Sequence, residues 1–68
     1  MLFQPAPLSE WVRLIRAEYA EFPGLHLTRE QVRRLWSLDE TTCEQVLEIL
    51  ETDGFLRQTK SGRWVRND

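Results

Sequence analysis

The sequence has little of the residues that build disulfides and metal sites. It holds one cysteine, Cys43, and one histidine, His26, in 68 residues. A single cysteine cannot form an internal disulfide, and small secreted domains usually carry several, so we expect a cytoplasmic protein. Two such ligands also fall short of the four Cys or His side chains of a structural zinc site. The sequence therefore predicts no bound metal.

Long apolar runs are also missing. No stretch approaches the roughly 20 apolar residues that cross a bilayer. The first seven residues, MLFQPAP, lack the basic start of a signal peptide. We therefore expect no membrane partner.

The residues of common catalytic sites are absent too. There is no glycine-rich phosphate loop and no combination of Ser, His and Asp at a recognisable spacing. Cys43 falls among predicted core positions, where a thiol is usually buried and inert. His26 stands alone between two leucines, and we expect no functional role for it. The sequence predicts neither an enzyme nor a cofactor.

Charge of neither sign dominates. Nine Lys and Arg face 11 Asp and Glu, which gives a net charge of −2. A domain that binds nucleic acid through its overall charge is usually strongly basic, so any such contact here has to be local. With 41% hydrophobic and 29% charged residues, the chain has the composition of an ordinary folded domain, and its length allows only one.

Two prolines mark an extended arm over residues 1–7, ahead of a single domain over residues 8–67. Pro5 and Pro7 donate no backbone hydrogen bond and bias the residues before them away from helix. Three alternatives are open for Leu2 and Phe3 in this arm: they pack on the domain, they are disordered, or they contact a partner.

The first helix is predicted from Ser9, a plausible N-cap, to about Phe22. Pro23-Gly24 ends it, because proline lacks a donor and glycine tolerates positive φ. Apolar residues at spacings of three and four give it one apolar stripe: Leu8, Trp11, Val12, Ile15, Tyr19 and Phe22. Residues 25–27 are too short for a helix and suit a brief strand or an extended linker.

A capping box predicts the start of the second helix. The Thr28 hydroxyl can accept from the Gln31 amide while the Gln31 side chain reaches back to Thr28. This helix should end at about Trp36. Its predicted inward residues are Val32, Leu35 and Trp36, and its predicted outward residues are Arg29, Arg33 and Arg34.

The third helix is predicted over residues 39–53, after a tight Ser37-Leu38 turn. Asp39 is a good N-cap, and Ser37 with Glu40 offers an alternative capping box. Gly54 supplies a left-handed terminator. The predicted inward residues are Cys43, Val46, Leu47 and Leu50. Residues 55–66 then form two β-prone segments around Lys60-Ser-Gly62, which predicts a β-hairpin.

The order helix, short strand, helix, turn, helix, hairpin resembles a winged helix-turn-helix domain over residues 9–66. The run LTREQVRRLWSLD from Leu27 is similar to the helix-turn-helix of bacterial regulators, although Ser37 stands where glycine is common. The run TCEQVLEIL from Thr42, followed by ETDGFLR, resembles the recognition helix and wing of multiple-antibiotic-resistance-type regulators. The resemblance implies a mainly α fold with a small β-hairpin (α+β), a three-helix winged helix-turn-helix.

This resemblance also implies a function, a DNA-binding transcriptional regulator whose partner is double-stranded DNA. It makes helix 39–53 the recognition helix, with Thr41 and Gln45 on base edges, and hairpin 55–66 the wing. Phosphate contacts then belong to basic side chains of the second helix and the wing: Arg29, Arg33, Arg34, Arg57, Lys60, Arg63 and Arg66.

The local charges keep a second hypothesis open. From residue 39 to 53 there are six acidic residues and no Lys or Arg, whereas residues 54–68 hold four basic residues and one acidic residue. DNA phosphates repel an acidic helix. The alternative is a protein-interaction module whose acidic third helix meets a basic protein surface or a second copy of the chain. Trp64, inside the basic hairpin, either closes the core or contacts nucleic acid.

Overall fold

The computed structural model describes residues 7–67, which form three helices and a small antiparallel sheet. The helices are α1 (Leu8–Glu21), α2 (Arg29–Leu35) and α3 (Glu40–Thr52). The strands are β1 (Leu27–Thr28), β2 (Leu56–Gln58) and β3 (Arg63–Arg66). The predicted α+β class with a hairpin is confirmed. Residues 1–6 of the predicted arm, with Leu2 and Phe3, lie outside the described residues.

Helix α1 begins at Leu8, so its N-cap lies two residues before the predicted Ser9. Pro7 takes that position with extended backbone (φ −64°, ψ 158°), and its carbonyl accepts from the amides of Glu10 and Trp11. Proline suits this position because its fixed φ is compatible with the helix start and no amide is lost. Phe22 is the last residue of the predicted apolar stripe. It lies past the helix end and is 54% exposed, because the apolar stripe stops with the helix.

The capping box of α2 is confirmed. The Thr28 hydroxyl accepts from the Gln31 amide at 3.1 Å, and Gln31 Oε1 accepts from the Thr28 amide at 2.9 Å. Val32 is fully buried, whereas Leu35, predicted to face inward, is 61% exposed. Leu35 lies beside Gln31 and Arg34 on the rim of a shallow groove, where no described element covers it.

A tight turn joins α2 to α3. The Leu38 amide donates to the Arg33 carbonyl at 2.8 Å, and the Leu38 side chain is buried. Ser37 has a φ of 53°, the left-handed conformation in which glycine is favoured. Asp39 accepts from the Thr42 amide at 3.4 Å and caps α3, so it is the N-cap rather than Ser37.

Helix α3 supplies the largest share of the core. Its four predicted inward residues, Cys43, Val46, Leu47 and Leu50, are all buried. Gly54 ends the segment with a φ of 80°, and the Phe55 amide donates back to the Leu50 carbonyl at 3.0 Å. This is the predicted left-handed terminator. The remaining core residues are Ile15, Tyr19, Val32, Leu38, Leu56 and Trp64.

The sheet has the strand order β1-β3-β2, with both pairs antiparallel. Leu27 and Gln58 flank Trp64 on either side, and Arg57 lies opposite Val65. Directly opposed residues share a face. Leu56, two residues before Gln58, shares the face of Trp64, and both side chains are buried, so this is the core face. Among the described residues, no helix is long and apolar enough to cross a membrane.

Candidate nucleic-acid interface

The three arginines of α2 that were predicted to contact phosphates all lie beside carboxylates. Arg29 Nη1 is 2.7 Å from Glu44 Oε2 on α3. Arg33 donates to both oxygens of Glu30, and Arg34 Nε is 3.7 Å from the same carboxylate. The hydrogen bond from Arg33 holds the pKa of Glu30 below its ordinary value and raises the pKa of Arg33. A phosphate contact at these positions would therefore compete with internal ion pairs.

Helix α3 places Thr41 and Gln45 on its exposed face, as predicted. Three exposed glutamates flank them: Glu40, Glu44 and Glu48. Glu44 is compensated by Arg29 across the helix-helix contact, and Glu40 acts electrostatically on Arg33. The arginines of α2 thus offset part of the negative charge at the start of α3. That compensation between helices, 15 residues apart in the case of Arg29 and Glu44, is invisible to a count of charges along the sequence.

The hairpin has a different electrostatic character. Arg57 and Lys60 are exposed, and Arg63 and Arg66 are half-buried. Within residues 7–67, Arg57, Lys60 and Arg63 have no carboxylate within ion-pair distance. By contrast, each arginine upstream of the hairpin has one within 4.0 Å: Arg13, Arg16, Arg29, Arg33 and Arg34. The basic charge available to an external anion is therefore concentrated on the hairpin.

The strand register puts part of this charge on the sheet face opposite the core, which we call the outer face. Arg57 pairs with Val65, and Arg63 pairs with Thr28. These four residues share one face because opposed residues, and residues two apart on one strand, point the same way. The outer face is thus a basic surface with a half-buried valine within it.

A groove of about 390 Å³ runs between this outer face and the turn that follows α1. We call it the basic groove. The described residues that line it include three arginines, one histidine, two hydroxyl side chains and no carboxylate: Pro23, Gly24, Leu25, His26, Arg57, Thr59, Ser61, Arg63, Val65 and Arg66. Its charge and its hydrogen-bond donors suit an anionic ligand.

His26 is one of three polar residues of this groove that were not predicted from the sequence. Its Nδ1 lies 3.2 Å from Arg63 Nη1. Because an arginine only donates, Nδ1 is the acceptor in this contact. Thr59 and Ser61 were missed as well, and their hydroxyls lie 3.0 Å apart in the hairpin loop. The only sequence signal for His26 was its position between two leucines, just before β1.

Trp64 is a core residue, so the interpretation that it closes the core is confirmed. It is 7% exposed, and the Tyr19 hydroxyl donates to its carbonyl at 2.9 Å. Its indole Nε1 is buried without a hydrogen-bond partner. The ring is not on the outer face and cannot stack on a base.

Cys43 is buried, and burial raises the pKa of its thiol. Its Sγ lies 3.6 Å from the Arg29 carbonyl. A protonated, enclosed thiol is a poor nucleophile. Within the part of the chain that the structure describes, no group of three or more His, Cys, Asp or Glu residues is arranged to hold a metal ion.

Comparison of the chain with protein-family models, with curated proteins and with solved structures finds no match. The geometry and charge of the surface are therefore the basis for the function proposed below.

Proposed function

We propose that this chain is a winged-helix domain that binds double-stranded DNA, with the hairpin and the outer face of the sheet on the phosphate backbone. The order of helices and strands supports the proposal, because it is the order that the resemblance implies. In this role the chain acts as a small transcriptional regulator in the cytoplasm of a bacterial cell.

The observation that carries the proposal is the different pairing of the basic residues inside and outside the hairpin. Arginines outside the hairpin are matched by carboxylates, as in Arg29 with Glu44. Arg57 and Arg63 have no such match among the described residues. A polyanion binds where positive charge is uncompensated, because it gains Coulomb energy without displacing an internal partner.

Helix α3 has the supporting role of base contact. Thr41 and Gln45 are exposed on α3, and glutamine can make a bidentate contact with adenine. The glutamates beside them oppose close approach to phosphates. We therefore assign most of the binding free energy to the hairpin, and sequence preference to these two residues.

Fluorescence anisotropy with a labelled mixed-sequence duplex tests the proposal. Arg57→Glu and Arg63→Glu should each weaken binding by about tenfold or more, and each should reduce the slope of log affinity against log salt by about one. Arg13→Glu is the matched control, because Arg13 is exposed on α1 and already paired with Glu10. Equal losses in all three variants, or no binding by the wild-type chain, would overturn the proposal.

A second candidate function rests on the acidic residues of α3. Glu48 and Glu51 are exposed on α3 and form no ion pair with any described residue. An acidic helix face of this kind fits a basic protein surface, such as the hairpin of a second copy. Sedimentation of the chain at low salt tests this alternative: association that disappears in Glu48→Lys, with no affinity for DNA, would favour it. Under the DNA-binding proposal Glu48→Lys instead strengthens DNA binding, because it removes a repulsive charge.

A further inference from the structure

The basic groove has the form of a local site rather than an open charged surface. One wall is the outer face of β2 and β3, and the other is the turn of residues 23–26. Its volume of about 390 Å³ is at the small end of the range for ligand pockets, which runs from about 300 to about 1,000 Å³. A single small group fits inside it, whereas a protein surface or a nucleic-acid helix does not.

The donors of the groove match a tetrahedral oxyanion. Arg57 and Arg63 contribute guanidinium groups, which pair with phosphate oxygens through two parallel N–H donors. Thr59 and Ser61 add hydroxyl groups at the loop end of the groove. The Thr59 hydroxyl also accepts from the Arg63 amide at 3.1 Å, which ties the loop to the strand that carries the arginine.

His26 fixes Arg63 without neutralising it. The contact of 3.2 Å between His26 Nδ1 and Arg63 Nη1 occupies one donor of the guanidinium and orients the group. A carboxylate in the same place would orient it equally well but would cancel its charge. The remaining donors keep their full attraction for an anion, which is the arrangement that preorganised anion sites require.

We infer that the basic groove binds one phosphate group, held by Arg57 and Arg63, with His26 positioning the Arg63 guanidinium. The phosphate is either a phosphodiester of the DNA backbone or the phosphate of a small ester. In the first case the inference rests on the proposed function, because the groove then anchors one backbone phosphate beside the hairpin. In the second case the groove is an effector site that stands independently of DNA binding.

Amide chemical shifts of the isotope-labelled chain test the inference, with inorganic phosphate as the probe and sodium chloride at matched ionic strength as the reference. Phosphate should give saturable shifts at residues 24–26 and 57–63 that chloride does not produce. Arg63→Gln should weaken phosphate binding by about fivefold or more, and His26→Gln should weaken it by a smaller factor. Arg13→Gln, an exposed and paired arginine on α1, should change it by less than about twofold.

The same titration with a short duplex separates the two sources of phosphate. Groove shifts with duplex that inorganic phosphate competes away identify a backbone phosphate. Groove shifts with phosphate and no binding of duplex support a small phosphate ester, and the proposed function then fails while the site stands. Identical shifts with phosphate and chloride overturn the site. Groove shifts with phosphate, together with duplex binding that leaves residues 24–26 unshifted, also identify a small phosphate ester and leave the proposed function in place.

Discussion

The Tyr19 hydroxyl donates a hydrogen bond of 2.9 Å to the main-chain carbonyl of Trp64, and so joins α1 to the central strand of the sheet. Tyr19 is fully buried. Trp64 lies on the central strand β3 and pairs with Leu27 on β1 and with Gln58 on β2. The contact spans 45 residues of sequence and holds the hairpin at a fixed position against the helices. The outer face lies on the opposite side of the sheet from the Trp64 side chain. The same hydrogen bond therefore fixes its position as well.

Tyr19→Phe tests this connection. The variant should lose about 1 to 2 kcal/mol of unfolding free energy, because a buried carbonyl loses its side-chain donor while the ring packing is kept. Urea denaturation measures it. A loss that is indistinguishable from zero would show that the hydrogen bond does not hold the hairpin in place.

The alkaline limit of stability should depend on the same residue. Burial raises the pKa of Tyr19 to about 12, whereas an exposed phenol titrates near pH 10. Between these values the unfolded chain releases the proton and the folded chain keeps it, so stability falls as the pH rises through this window. Below about pH 10 the contribution is complete. Tyr19 is the only tyrosine, so tyrosinate absorbance reports it alone. A titration midpoint near 10 in the folded chain would contradict the buried position.

Ser37→Gly should stabilise the domain by about 0.5 to 1 kcal/mol. Ser37 is exposed and has a φ of 53°, where a Cβ is crowded and glycine is not. Part of the gain is offset because glycine is freer in the unfolded chain. Ala17→Gly, at an exposed position inside α1, is the control and should cost about 1 kcal/mol. Thermal denaturation of the pair should therefore give shifts of opposite sign, and destabilisation by both would contradict the turn conformation.

Leu35→Ala and Leu50→Ala compare two leucines that the sequence pattern places in the core. Leu35 is 61% exposed, so its truncation should cost less than about 1 kcal/mol. Leu50 is fully buried on α3, and its truncation should cost about 2 to 5 kcal/mol, enough to unfold much of so small a domain. Equal losses in the two variants would mean that Leu35 is covered in solution.

Local patterns predicted most of the fold. The capping box of Thr28 and Gln31, the Asp39 N-cap and the Gly54 terminator each involve residues within a few positions of one another, and all three are confirmed. The errors lie at helix ends. Phe22 and Leu35 continue an apolar spacing past the point where another element packs against it. A periodic pattern marks which side of a helix is apolar, but not how far its partner extends.

Only part of the candidate site could be predicted from the sequence. The sequence supplied the basic residues of the hairpin and the acidic run of α3. It could not show that Arg29 compensates Glu44, or that His26 meets Arg63 across 37 residues, because such contacts depend on which elements pack together. The role of β1 was also hidden. Its two residues carry almost no signal of their own, and their pairing with β3 places the turn of residues 23–26 beside the hairpin.

Gln45→Ala should change what is recognised more than how tightly the chain binds. Under the proposed function, selection from a random duplex pool should yield a preferred sequence with the wild-type chain. The variant should lose about 1 to 3 kcal/mol of discrimination at one position and keep the same salt dependence. An unchanged preference would remove α3 from base contact and leave the hairpin alone in the proposal.

The most direct test of the central claim is to locate the DNA contact on the chain itself. Amide shifts of the labelled chain would be followed during titration with a mixed-sequence duplex at about 50 mM and about 200 mM salt. We predict shifts concentrated at residues 57–66, weaker shifts at Thr41 and Gln45, and a steep loss of affinity at the higher salt. Shifts confined to α3, or no shifts at protein concentrations near about 1 mM, would contradict it.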